Sequence, residues 1–133
     1  MAPADARDAA AEVIRRCEEA ARLTEAFCAR VRGGDDDGGP AFCRDREAIL
    51  AAIRALEAVA AEGADPEAAV RHRTDRARAI RRILELDREL IGLLDARKAR
   101  LRVELQGLQQ GRRSLHSYRG PAGTSPAVID RLG

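Results

Sequence analysis

The chain has 133 residues, a formal net charge of +2, no Trp, one Tyr and two Phe, with 35% of its residues charged. This is one domain's length, short for an enzyme with separate substrate and cofactor lobes, and the Ala/Leu/Arg/Glu-rich composition is that of long helices, not of sheets. All but Lys98 of its 24 basic residues are arginine, yet acidic residues nearly balance them, so no global field drives the chain toward nucleic acid or an anionic membrane.

The opening MAPADARDAAAEVIRR lacks both a basic segment followed by an apolar run and an acid-poor transit character, and no stretch approaches the length of a membrane span. The expectation is a cytoplasmic all-α protein. The first helix is predicted over about residues 4–32. Val13, Cys17, Ala20, Thr24, Phe27 and Val31 recur at alternating spacings of four and three, the rhythm of a helix packed along one seam. Cys17 and Cys28 read as small buried hydrophobes, and three cysteines without a CxxC pair read as reduced thiols. GGDDDGGP at 33–40 then forms an open turn. Asp36 and Glu47 have the separation of the first and last ligands of a calcium loop, but Gly38, Pro40 and Ala41 occupy intervening positions that need oxygen donors or glycine.

A second helix is predicted over about 40–62, with Phe42, Ile49, Ile53, Leu56 and Ala60 on its apolar face and Gly63 at its end. At 64–70, ADPEAAV is a restart signal: Asp65 caps free amides, Pro66 suits the first helical turn, and Glu67 suits the positive end of the dipole. The third helix is expected from about 66 to 117, roughly 75 Å at 1.5 Å per residue. Two apolar rows run along it. Ile80, Leu84, Ile91, Leu94, Leu101, Leu105 and Leu108 form one, and Ile83, Leu86, Leu90 and Leu93 the other. Two rows over 80–94 predict contact with two neighbours, and the single row beyond Leu94 predicts an overhang in need of a cover. The expected fold is an elongated antiparallel three-helix bundle, with residues 1–119 as one helical domain and a flexible Gly/Pro tail over 120–133.

RHRTDRARAIRR gathers Arg71, Arg78, Arg81 and Arg82 into a basic stripe. It has no aromatic residues for base stacking, and acidic residues return with Glu85, Asp87 and Glu89, so a solvated face or a contact with an acidic partner is the better reading than a grip on phosphates. His72 and His116 stand far apart and form no HExxH, and no P-loop, GxGxxG or GxSxG occurs. No enzymatic chemistry, metal or cofactor is expected.

The ending, GRRSLHSYRGPAGTSPAVIDRLG, is the most specific feature. Gly111, Arg112, Arg113, Ser114, Leu115 and Tyr118, followed by Ile129, Asp130 and Arg131, resemble the close of small flagellar secretion chaperones of the FliT/FlgN type. That resemblance implies a cytoplasmic chaperone that holds a flagellar export substrate and delivers it to the type III export machinery. The client would be an amphipathic helix of a filament cap or hook–filament junction protein, in a groove beside Leu94, Leu101, Leu105, Leu108 and Leu115. Tyr118, Val128, Ile129 and Leu132 are expected to fold back over this row when no client is present. Two alternatives stand beside it: a coiled-coil regulator touching nucleic acid through the arginine stripe, and a structural homodimeric coiled coil.

Overall fold

The structure, a computed structural model, describes the backbone of residues 3–35, 37–63 and 65–122 and, within these, the side chains of 5–118. Three helices follow in order: α1 (Pro3–Arg32), α2 (Gly39–Ala61) and α3 (Pro66–Ala122). They lie in two compact units, Met1–Leu94 and Asp95–Gly133.

Local chemistry sets the helix ends. At the close of α1 the Gly33 N–H donates to the Ala29 carbonyl at 3.1 Å and the Gly34 N–H to Val31 at 3.0 Å. Gly34 has φ +85°, the left-handed conformation that costs glycine least, so the chain leaves the helix while its last carbonyls keep donors. Arg30 clips the turn, its guanidinium donating to Asp35 Oδ2 at 3.1 and 3.2 Å. Before α3, Asp65 Oδ1 accepts from the Ala68 N–H at 2.8 Å, the cap its position predicts. Gly63, with φ +68°, makes the preceding bend.

In the first unit, each helix contributes one apolar face to a common core. Val13, Cys17 and Ala20 of α1 pack with Ile49 of α2 and Ile83 of α3. Nearer the α1–α2 turn, Phe27, Cys28 and Val31 pack with Phe42 and Leu90. Rising numbers on α1 therefore meet falling numbers on α2 and rising numbers on α3: α2 runs antiparallel to both, and α3 runs parallel to α1. The Phe27 and Phe42 rings stack with centroids 4.5 Å apart and planes 9° apart. All six residues of the α1 seam are buried, Thr24 included, whose hydroxyl donates to the Ala20 carbonyl at 2.8 Å.

One of α3's two rows supplies its buried residues to this core, and from the other only Ile80, half-buried, packs against it. Ile83, Leu86 and Leu90 are buried, whereas Leu84, Ile91 and Leu94 are exposed. In a three-helix bundle, one face of α3 meets both neighbours at once, so two contacts do not require two rows. The other difference lies at the C-terminal end, where α3 continues to Ala122 instead of stopping near residue 117. Gly107 and Gly111 weaken the helix by about 1 kcal/mol each relative to Ala, but both keep their amide donors, so the hydrogen-bond ladder runs through them.

Candidate functional site

A polar clasp joins the three helices of the first unit. Arg46 of α2 forks onto Asp87 of α3, with Nη1 2.5 Å from Oδ1 and Nη2 2.7 Å from Oδ2, and Nη1 also reaches the buried Thr24 hydroxyl of α1 at 3.5 Å. Its guanidinium stands 6.0 Å from the centre of the Phe42 ring. The hydrogen bonds to Asp87 hold Arg46 protonated even beyond its ordinary range. Further links between α3 and its neighbours are the Arg32–Glu89 pair, Arg82–Glu25 at 3.6 Å and Arg76–Glu57 at 3.3 Å. Sequence reasoning missed these pairs because their members lie tens of residues apart, and no local spacing signals them.

At the end of the bundle remote from the α1–α2 turn, alanines at positions 6, 10, 60 and 69 floor a cleft of about 700 Å³ between the three helices. His72 Nε2 faces Glu57 Oε2 across 3.5 Å at its edge. Among the described residues, no cluster of His, Cys, Asp and Glu could hold a metal ion. Burial pushes the Cys17 and Cys28 thiols upward, with Glu57 adding to the effect at Cys17, so both behave as the inert core residues their positions predict. Cys43 is exposed.

The sequence-predicted binding residues are all on α3. Leu94, 39% exposed, closes the first unit. In the second unit, Leu101, Leu105, Leu108 and Leu115 are 45 to 73% exposed, and Tyr118 is exposed as well. Val128, Ile129 and Leu132 lie outside the described residues.

The spacing of the row sharpens once its exposure is known. Leu94, Leu101, Leu108 and Leu115 recur every seven residues, and Ile91, Lys98, Leu105 and Arg112 do the same. In the sequence these are the two lines of a heptad repeat, the pattern of helices that pair along a seam. Lys98 and Arg112 interrupt one line with positive charge.

Of the basic stripe, Arg82 is tied to Glu25 and, at 4.0 Å, to Glu85. Arg71, Arg78 and Arg81 are exposed, and none has an ion-pair partner among the described residues. Beside Arg81 the surface is aliphatic, with Leu84 and Ile91 more than half exposed or nearly so. Arg73, Arg81 and Arg88 line a groove with Ile80 and Leu84, an association the stripe reading did not identify.

No helix among the described residues is long and apolar enough to cross a membrane. No curated protein and no solved structure matches the chain. The family model described as flagellar protein FliT matches residues 14–120, which take in all of α2 and most of α1 and α3. With a long exposed leucine row on its last helix and four-fifths of its length matched, the chain belongs to the FliT family of flagellar proteins.

Proposed function

We propose that this chain is a non-enzymatic chaperone of flagellar export. It binds an amphipathic helix of an export substrate, such as a filament cap or hook–filament junction protein, shields that helix in the cytoplasm, and hands it to the export machinery. Family membership supports the general role, and the exposed heptad on α3 supports the mode of binding. A client helix with apolar residues at its own heptad positions inserts them between Leu101, Leu105, Leu108 and Leu115, and Leu94 stands one heptad before Leu101.

The positive interruptions favour a foreign helix over a second copy. In a parallel self-pair, Lys98 faces Lys98 and Arg112 faces Arg112, each a like-charge contact in a seam that excludes water. A client carrying Glu or Asp at those positions converts both into attractions.

The experiment is a titration of the purified chain with the purified filament cap and hook–filament junction proteins of the same organism, each with and without its terminal helices. Saturable one-site binding that disappears with the terminal helix supports the reading. Absence of binding to both substrates, with the chain folded, rejects it. The aliphatic residues of the ending act in this reading as competitors for the same row. Removing residues 120–133 then tightens client binding by the factor that the shielded state imposed, and equal affinities rule shielding out.

A further inference from the structure

We propose that the outward face of α3 in the first unit, where Ile80, Leu84 and Ile91 lie between Arg73, Arg81 and Arg88, is a second docking surface, built for an acidic amphipathic helix of another protein. The face spans roughly 27 Å from Arg73 to Ile91, about five turns. It continues toward the N-terminus the two heptad lines that carry the client row, Ile80 in line with Leu94 and Leu101, and Leu84 and Ile91 in line with Leu105, and it differs from that row in the three arginines beside it.

Two observations carry the assignment. The first is apolar: Leu84 is 50% and Ile91 59% exposed, Ile80 is half-buried beside them, and no other described residue covers the pair. Isolated exposed leucines are ordinary, but two large aliphatic residues two turns apart on one face, next to the half-buried Ile80, form a patch that water solvates poorly. A shallow groove of about 700 Å³ runs past Ile80 and Leu84 and stops short of Ile91.

The second observation is electrostatic. Elsewhere in the bundle, arginines that reach a neighbouring helix have carboxylate partners: Arg32 has Glu89, Arg46 has Asp87, Arg76 has Glu57 and Arg82 has Glu25. Arg73, Arg81 and Arg88 have no such partner among the described residues. Glu85 is the one carboxylate lining the groove, and it already faces Arg82. Three unpaired guanidinium groups bordering an aliphatic strip complement a helix with leucines in its centre and glutamates on its flanks.

Other occupants fit less well. A second copy docking through the same face brings arginines toward arginines. Nucleic acid satisfies the charges but leaves Leu84 and Ile91 without a counterpart, and the face has no aromatic side chain on which a base can stack.

The test uses the full chain and a fluorescein-labelled helical peptide of roughly 20 residues, with leucines at heptad core positions and glutamates flanking them. A control peptide has lysine at every glutamate. Anisotropy titrations at about 50 and 300 mM salt should show binding of the acidic peptide that weakens with salt, and no binding of the basic one. Leu84→Ala with Ile91→Ala, and separately Arg81→Gln with Arg88→Gln, should each weaken the acidic peptide about tenfold or more at unchanged helical content. Alanine and glutamine are good helix formers, so both variants stay folded. Equal binding of the two peptides overturns the proposal. So does a loss confined to Leu101→Asp with Leu105→Asp, which places the peptide on the client row. Tighter binding of random duplex DNA or of anionic phosphatidylserine vesicles, unaffected by Leu84→Ala with Ile91→Ala, assigns the arginines to a different class of partner and also overturns it.

Discussion

Replacing Leu101 and Leu105 together by Asp separates contact from core on α3. Leu101 is 45% and Leu105 56% exposed, so about half of each side chain remains to be covered by a partner. Full burial of a leucine is worth about 2 kcal/mol, so covering the exposed halves contributes about 1 kcal/mol each, or about 2 kcal/mol for the pair. Losing that alone weakens client binding about 30-fold, and placing two carboxylates in an apolar seam weakens it further. The fold should change little. Neither leucine belongs to the core clusters of the first unit, and the lower helix propensity of Asp costs less than about 1 kcal/mol per site. Calorimetric titration with a client, beside far-ultraviolet circular dichroism of the free variant, reads both effects. Client affinity within threefold of the parent would refute the assignment of the row. So would an unfolded variant, because it would place these leucines in structure the free chain depends on.

Gly92→Ala should stabilise the chain by about 0.5–1 kcal/mol in thermal melts, because a methyl group there meets no atom within 4 Å and the helix loses its weakest former; Gly34→Ala, at φ +85°, should destabilise it by about 1 kcal/mol. A thiol reagent should modify Cys43 at once, and Cys17 and Cys28 only as fast as the bundle opens. Because burial raises both thiols above their ordinary value of 9.0, the unfolded chain ionises first, so stability holds below about pH 9 and falls as pH rises beyond it; denaturant midpoints at pH 7.5 and 10 check the sign. Arg78→Gln with Arg82→Gln should cost less than about 1 kcal/mol in total, since Arg78 is unpaired and the Arg82 contacts are long and solvent-exposed; a large drop in melting temperature would contradict this.

How far the sequence could be read follows from the range of the forces involved. The α1 seam from Val13 to Val31 and the Asp65 cap were legible because each is set by residues within a turn or two of one another. The helical architecture followed in the same way. The Arg46–Asp87 clasp was not legible, since any of many arginines can meet any carboxylate until the helices are aligned. Which α3 row turns inward was ambiguous for a different reason: both rows are aliphatic, and burial energy alone does not choose between them. Ile83, Leu86 and Leu90 go inward together with Asp87, which joins Arg46, and Glu89, which joins Arg32. Turning Leu84 and Ile91 inward instead takes Asp87 and Glu89 away from those partners, at a cost that the apolar residues cannot reveal by themselves. The candidate binding residues were legible as leucines at helical spacing. Their exposure was not, because a leucine has the same letter whether its facing helix is in the chain or in another protein.

That last point also explains the uneven distribution of apolar bulk. The first unit builds much of its core from small side chains: Ala6, Ala9, Cys17, Ala20, Cys28 and Ala60 are all buried. Meanwhile Leu84, Ile91, Leu101, Leu105, Leu108 and Leu115 stand exposed on one helix. A chain optimised for its own stability would do the reverse, because each leucine moved from solvent to core gains about 2 kcal/mol. Small residues on α1 and α2 let these two helices approach closely, while larger side chains stand exposed on α3. Under the proposed function, the heptad spacing of the leucines makes them specific as well as sticky: a client must supply a helix in matching register to cover them. Lys98 and Arg112 interrupt one of the two lines, so a parallel pair of this row sets like charges face to face, whereas acidic residues at those positions of a partner helix attract them. The net charge of +2 conceals this local pattern, because the field that a partner meets depends on where the charges lie along α3 and not on their sum.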